Sequence, residues 1–331
     1  TVSHEGYRKQ SALSLYRSQH RGGKGVIGSD TREEDFVEHL FVASTHDYIL
    51  FFTDAGKVHW LKVYDVPRLG RTSRGRAIVN LLELPKGEQI TSMVPVRKFD
   101  DRYLLMATEK GMVKKTVLSA YGRPQQGGII AIKLGEGDKL IRALITRGTD
   151  QVILGTEKGY AIRFNEQDAR PMGRNTGGVR GINLRKGDKV KDMILVDKHS
   201  TLLTVCEHGF GKRTAFGKYR LQSRGGKGVI NIKTTQRNGN VVGLMSVRDD
   251  DEIMIITVHG KMIRLPVSDI RVIGRSTQGV TLLKTDEGDK IASFTRVAKK
   301  EENVEREAPE VPDEDDEESE EYETEEEPVT E

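Results

Sequence analysis

Apolar residues over the first 297 positions fall in short runs, some alternating with polar residues, and turns rich in Gly, Asp and Glu separate them. One set of runs follows a glycine: Val58 to Lys62, Val113 to Val117, Tyr160 to Phe164, Phe210 to Thr214 and Met262 to Leu265. A second set is more apolar: Ile78 to Leu82, Ile129 to Ile132, Ile182 to Leu184, Val229 to Ile232 and Val280 to Leu283. A third strand is predicted at Ile141 to Ile145, Met193 to Val196 and Val242 to Met245, and a fourth leads back to the next glycine. Strands this short, evenly spaced and bounded by turn residues predict an all-β fold. No apolar run is long enough to cross a membrane as a helix, and Thr1-Val2-Ser3-His4 does not open a signal peptide.

The pattern is periodic. An Arg-x-x-x-Gly box stands at Arg21/Gly25, Arg71/Gly75, Arg123/Gly127, Arg174/Gly178, Arg224/Gly228 and Arg275/Gly279, in steps of 50, 52, 51, 50 and 51. Glycines suited to hairpin turns run in phase with it: Gly6, Gly56, Gly111, Gly159, Gly209 and Gly260. Four strands in about fifty residues make one propeller blade, so six repeats predict a six-bladed β-propeller of four-stranded blades. The chain opens on the tail of a fourth strand and ends on a third-type strand around Ile291 to Phe294. Those ends complement one another, so the last blade is expected to combine both termini, which removes an exposed sheet edge.

Charge changes the picture. The chain of 331 residues has a formal net charge of +3, but 301–331 holds eighteen acidic residues and one basic. The remaining 300 residues carry 52 basic against 32 acidic, a net +20, which is expected to attract polyanions. Two parts follow: a β-domain over 1–299 and an acidic tail over 300–331 whose composition cannot bury a core and predicts disorder. Cys206 is the single cysteine, so no disulfide staples the fold and a reducing compartment is expected. The histidines lack metal-site spacing. The missing initiator methionine predicts a piece of something longer.

The candidate chemistry is phosphate binding. Gln19-His20-Arg21-Gly22-Gly23-Lys24-Gly25 combines glycines, which let a turn approach a ligand closely, with cations suited to phosphate oxygens. It nearly recurs as Gln222-Ser223-Arg224-Gly225-Gly226-Lys227-Gly228. The remaining boxes contribute Arg71, Arg74, Arg76, Arg123, Arg174, Arg180 and Arg275. Basic hairpin strands (Arg8-Lys9, Lys114-Lys115, Arg163, Lys212-Arg213 and Arg264) are expected to add to a belt of charge. Such groups grip backbone phosphates and carry little base information. Gly-Gly-Lys-Gly does not satisfy the P-loop pattern, and no nucleophile, base or paired-carboxylate set stands at useful spacing. No catalysis and no cofactor are expected in this stretch.

These residues resemble the family of DNA gyrase A C-terminal domains. Its signature, Gln-Arg-Arg-Gly-Gly-Lys-Gly in the first blade of a six-bladed β-pinwheel, stands here as Gln19 to Gly25, after Gly6-Tyr7-Arg8-Lys9 and Leu15-Tyr16-Arg17. His20 replaces an arginine of the family pattern. The resemblance implies a monomeric module that wraps duplex DNA around its rim with a positive crossing. It also implies a cytoplasmic, nucleoid-associated parent heterotetramer containing gyrase B and the N-terminal part of gyrase A. That complex would introduce negative supercoils with ATP and Mg2+, its tyrosine nucleophile lying outside this stretch. Two alternatives are the related C-terminal propeller of topoisomerase IV, whose box is usually degraded, and a chromatin-regulator-type propeller acting as a protein-interaction module, usually seven-bladed.

Overall fold

The computed structural model describes residues 46–66, 82 and 84–297. It also describes, in backbone only, the strands Val2–Ser3, Tyr7–Arg8, Val26–Ile27, Val37–His39 and Arg76–Ala77. The first two boxes and the acidic tail therefore lie outside the described residues. Residue contacts divide the chain into two units, Thr1–Ala298 and Lys299–Glu331.

The strands form four-stranded antiparallel sheets. Sheet 2 runs Ile90–Val96, Tyr48–Thr53, Lys57–Lys62, Ile129–Ile130. Sheet 3 runs Leu140–Thr146, Tyr103–Thr108, Met112–Val117, Val179–Arg180, and sheet 4 runs Val190–Leu195, Gln151–Thr156, Tyr160–Asn165, Val229–Ile230. Sheet 5 is Val241–Val247, Thr201–Cys206, Phe210–Ala215, Val280–Thr281, and sheet 6 is Ile291–Val297, Glu252–Thr257, Lys261–Pro266, Val26–Ile27. These are the five four-stranded blades of an all-β propeller. The expected sixth is not matched at that level: sheet 1 (Val37–His39, Val2–Ser3, Tyr7–Arg8, Arg76–Ala77) consists of two- and three-residue strands described in backbone alone.

The order within each sheet reveals a strand exchange. The strand that follows the box of one repeat pairs with the hairpin of the repeat before it. Ile129–Ile130 pairs with Lys57–Val58, Val179–Arg180 with Met112–Val113, Val229–Ile230 with Tyr160–Ala161, and Val280–Thr281 with Phe210–Gly211. The strand after the first box, Val26–Ile27, pairs with Lys261–Met262 of sheet 6. One sheet thus draws on both ends of the unit.

Each ladder is set by its own residues. Four of the first hairpin strands end on a threonine (Thr53, Thr108, Thr156, Thr257), whose hydroxyl accepts the N–H four residues on at 3.1–3.3 Å and tightens the turn. The exchanged strands are shorter than predicted. Ile182 to Leu184 are not ladder residues; the strand there is Val179–Arg180, while Ile78 to Leu81 lie outside the described residues. After two residues the chain bends, because the carbonyl of the preceding hairpin glycine captures two successive N–H groups. Gly159 O accepts from Asn231 (2.8 Å) and Ile232 (3.1 Å), and Gly111 O from Gly181 (2.8 Å) and Ile182 (3.2 Å). The apolar residues beyond the bend then plug the space between sheets: Ile132, Ile182, Ile232 and Leu283 are all buried.

The core lies between neighbouring sheets. Leu50, Phe52 and Val58 pack with Leu104, Met106 and Tyr121, while Leu203 and Val205 pack with Ile253, Ile255 and Leu282. The strands at the other edge of each sheet from the exchanged one lie against one another from sheet 2 to sheet 6, and Ile291–Val297 lies against Val37–His39. A polar residue at one register position ties them together. Asp192 Oδ1 and Oδ2 accept from Arg142 at 2.8 and 3.2 Å, and Oδ2 also takes the N–H of Leu244 at 3.0 Å. Ser92, at the equivalent position, exchanges two hydrogen bonds with Ala143.

Candidate nucleic-acid interface

The exchange puts each described box at the sheet edge away from the central strands, because the box leads directly into the outermost strand. At the fifth box, Gly225 and Gly228 have φ of 81° and 67°, a region that favours glycine. A Cβ on Gly228 would stand 2.5 Å from the carbonyl oxygen of Ala161, so only glycine lets this turn lie on sheet 4. Gly225 N–H donates to Gly181 O at 2.6 Å, and Gly226 O accepts from Asn183 N–H at 2.9 Å. Arg185 donates to the carbonyl of Lys227 at 2.6 Å. The Lys227 side chain itself is exposed.

The box arginines have a structural share. Arg224 donates through Nε to Asp168 O (2.9 Å) and through Nη1 to Arg180 O (3.0 Å). Arg174 reaches Ile130 O at 3.3 Å and Arg275 reaches Ile230 O at 2.7 Å. Each guanidinium thus latches its box to the outer strand of the preceding repeat. Its remaining N–H groups are left for a ligand. Arg123, Arg180 and Lys227 are exposed, and Gln222 is partly buried. Gln19, His20, Arg21, Gly22, Gly23, Lys24, Gly25, Arg71 and Arg74 lie outside the described residues, and only the backbone of Arg76 is described.

Among the described residues the basic hairpin strands do not form a surface belt; the side chains of Arg8 and Lys9 lie outside them. Lys114, Lys115, Lys212 and Arg213 are buried. Their side chains run between the sheets because those strands are covered by the next repeat, which the sequence pattern did not reveal. Lys114 Nζ donates to Ala131 O at 2.6 Å and also to Arg174 O. Lys212 Nζ donates to Gly274 O and Arg275 O at 2.7 and 2.6 Å. Lys115 Nζ donates to Glu166 O at 3.0 Å, and Arg213 Nε to Ile270 O at 2.7 Å. Arg163 is engaged by Gln151, Phe216 O and Tyr219 O, and Arg264 pairs with Glu252. Burial lowers both Lys114 and Lys212 to about 7, the neighbouring Arg174 and Arg275 adding to the effect. His59, buried at the equivalent register position of sheet 2, is lowered as well, chiefly by burial.

Other exposed cations take part of the expected place. Lys133, Lys233 and Lys284 follow the third, fifth and sixth boxes and are exposed. The N–H of Lys133 and of Lys233 donates to Thr176 O and Thr277 O of the next box, at 3.0 and 2.9 Å. Their recurrence at the box period was a signal present in the sequence. The surface arrangement can offer backbone N–H groups and cations to an anion, repeated at equivalent positions of successive sheets. Among the described residues no group of three or more His, Cys, Asp or Glu could hold a metal, and no helix is long and apolar enough to cross a membrane.

The chain matches, in six successive segments, the family model described as DNA gyrase C-terminal domain, beta-propeller: residues 1–44, 47–97, 102–147, 150–197, 200–248 and 251–298. It is 48% identical over 300 residues to DNA gyrase A of Escherichia coli, covering 90% of this chain and 34% of that protein. The DNA gyrase A of Salmonella typhimurium is 46% identical over 309 residues, covering 93% and 35%. The chain thus spans about a third of the length of these relatives. Among solved structures, that of a DNA gyrase A C-terminal domain superposes with a TM-score of 0.81 at 28% identity, covering 90% of this chain and 98% of that one. The C-terminal domain of DNA topoisomerase IV gives 0.72 at 25% identity, covering 89% and 91%. With six in-phase segments matched and nearly half the residues shared with these gyrases, the chain belongs to the DNA gyrase C-terminal domain family.

Proposed function

We propose that this domain binds duplex DNA without regard to sequence and wraps it around the edge formed by the outer strands. The observation that carries the reading is positional: every described box stands beside the outermost strand of a sheet, with exposed Arg123, Arg180, Lys133, Lys227 and Lys233 along that edge. A net +20 over the first 300 residues supplies the attraction. Sheet 1 serves as the sixth blade, and the pairing of Val26–Ile27 with Lys261–Met262 closes the ring, a six-bladed β-pinwheel. Boxes one and five, the two with an Arg-Gly-Gly-Lys core, are the strongest grips on one face of the bend.

The domain performs no bond chemistry and needs no cofactor of its own. It presents a wrapped segment, with a positive crossing, to the catalytic part of a parent gyrase A. That parent works with gyrase B, ATP and Mg2+ in the bacterial cytoplasm, at the nucleoid, to introduce negative supercoils. The topoisomerase IV likeness fits the same wrapping fold. The test is the salt dependence of duplex binding by the isolated domain. One or two phosphates neutralised per blade give a log K against log[salt] slope of roughly −5 to −11, at about −0.9 per phosphate. A slope shallower than about −3 would show that the edge is not used.

A further inference from the structure

The sequence ranks boxes four and six as weak, since Arg174-Asn175-Thr176-Gly177-Gly178 and Arg275-Ser276-Thr277-Gln278-Gly279 lack the lysine that boxes one and five carry at the fourth position. The structure supplies a lysine from elsewhere. The register places Lys114, Ile162, Lys212 and Ile263 at one equivalent position, one residue beyond the hairpin pair of the exchanged strand in sheets 3, 4, 5 and 6. The strands seated there follow boxes four, five, six and one. In these four sheets, where the box has its own lysine (Lys227, Lys24) the position holds isoleucine, and where it has none it holds lysine; in sheet 2, whose box three also has none, it holds His59. The Ile162 side chain lies 3.4 Å from where a Cβ on Gly226 would be. Lys114 and Lys212 instead send their ammonium groups to the carbonyls of Arg174 and of Gly274 and Arg275.

We infer that boxes four and six are full phosphate sites, whose second cation is the buried lysine donated by the preceding repeat: Lys114 beneath Arg174 and Lys212 beneath Arg275. This rests on the DNA-binding reading above. Each ammonium has three N–H groups and two carbonyl acceptors, and neither forms an ion pair with a carboxylate among the described residues. Taking a cation out of water without a counter-ion is costly. The charge that disfavours each ammonium, after burial, is another cation, the box guanidinium. Tyr121, whose hydroxyl shares the Ala131 carbonyl with Lys114, is pushed up to about 12 by burial and stays neutral. Cys206, which faces Lys212, and Tyr219, which faces Arg275, are raised by burial too and also stay neutral. An anion at the box relieves both cations at once. A phosphate at the guanidinium therefore favours the charged form of the lysine beneath it, so binding of DNA draws in protons near neutral pH.

The test is Lys114→Ile with Lys212→Ile in the full chain, isoleucine being the residue native at the equivalent positions 162 and 263. Duplex binding is followed by anisotropy against salt and by calorimetry at pH 7.5 in buffers of different ionisation heat. The unmodified protein is expected to take up protons on binding. The double variant should lose that uptake, and its salt slope should be shallower by about 2, at about 0.9 per phosphate site. A folded double variant with unchanged slope and uptake overturns the inference and leaves the lysines as packing. Should the variant not fold, the unmodified protein decides: absence of proton uptake between pH 7 and 8 overturns the inference. Failure of the unmodified chain to bind duplex at low salt would instead sink the DNA-binding reading, and this inference with it.

Discussion

Replacing Gly159 with alanine tests whether the exchanged strand holds the sheets together. Gly159 has φ of 81°, and an added Cβ would sit 2.2 Å from the carbonyl oxygen of Ile232. Left-handed backbone costs an L-residue about 1–2 kcal/mol. The clash is with backbone, so the exchanged segment of repeat 5 must back away. That weakens two hydrogen bonds, from Asn231 and Ile232 to Gly159 O, each contributing about 1 kcal/mol. It also partly uncovers Ile232, which is 1% exposed, a further loss of about 1–2 kcal/mol. The total is about 4–6 kcal/mol. Gly87 provides the control: its φ is 92°, yet nothing lies within 4 Å of an added Cβ. Gly87→Ala should therefore cost only the backbone term. At roughly 2–4 °C per kcal/mol for a domain of this size, Gly159→Ala should melt about 6–16 °C below Gly87→Ala by calorimetry. If the two variants melt within about 3 °C of each other, the exchanged strand contributes little and the argument fails.

Three further outcomes are expected. Asp192→Ala removes the acceptor shared by Arg142 and the N–H of Leu244, and should destabilise by about 2–3 kcal/mol in denaturant titration, with Trp60 as the fluorescent reporter; an unchanged midpoint would remove Asp192 as the tie between neighbouring sheets. Lys227→Ala should weaken duplex binding several-fold with no change in melting temperature, whereas Arg224→Ala should lower both, because Arg224 also latches Asp168 O and Arg180 O. Equal melting of these two would discard the latch. Without DNA, Lys114 and Lys212 sit below the ordinary lysine range, at about 7, so between about pH 7 and pH 10 the unfolded chain binds more protons than the folded one. Stability should rise with pH across that window and rise less in the double isoleucine variant; a fall would reverse the assigned burial.

The repeats, the strand type and the turn glycines were legible because each follows from local chemistry recurring at one period; the expected partner of Ile291 to Phe294 was not, since Val2–Ser3 lies in sheet 1 and it is Val26–Ile27 that enters sheet 6. Chain reversal needs a glycine, and a threonine cap tightens it at Thr53, Thr108, Thr156 and Thr257, with Cys206 standing at that place in sheet 5. Two further things were not legible. Strand exchange between repeats is a tertiary fact: Ile182 reads as a strand residue, and only the capture of its N–H by Gly111 O ends the ladder before it. Burial of the hairpin cations was hidden for the same reason. Lys114 and Lys212 look like surface charge until the next repeat is laid over them, and only then does the alternation of isoleucine and lysine at that position of sheets 3 to 6 acquire meaning.

The most direct measurement of the central claim is the topology of relaxed plasmid incubated with this domain alone, then treated with a type I topoisomerase and deproteinised. Wrapping with a positive crossing should leave positively shifted linking number, growing with protein added and vanishing at high salt. An unchanged linking number under conditions where the domain is bound to the plasmid would contradict wrapping.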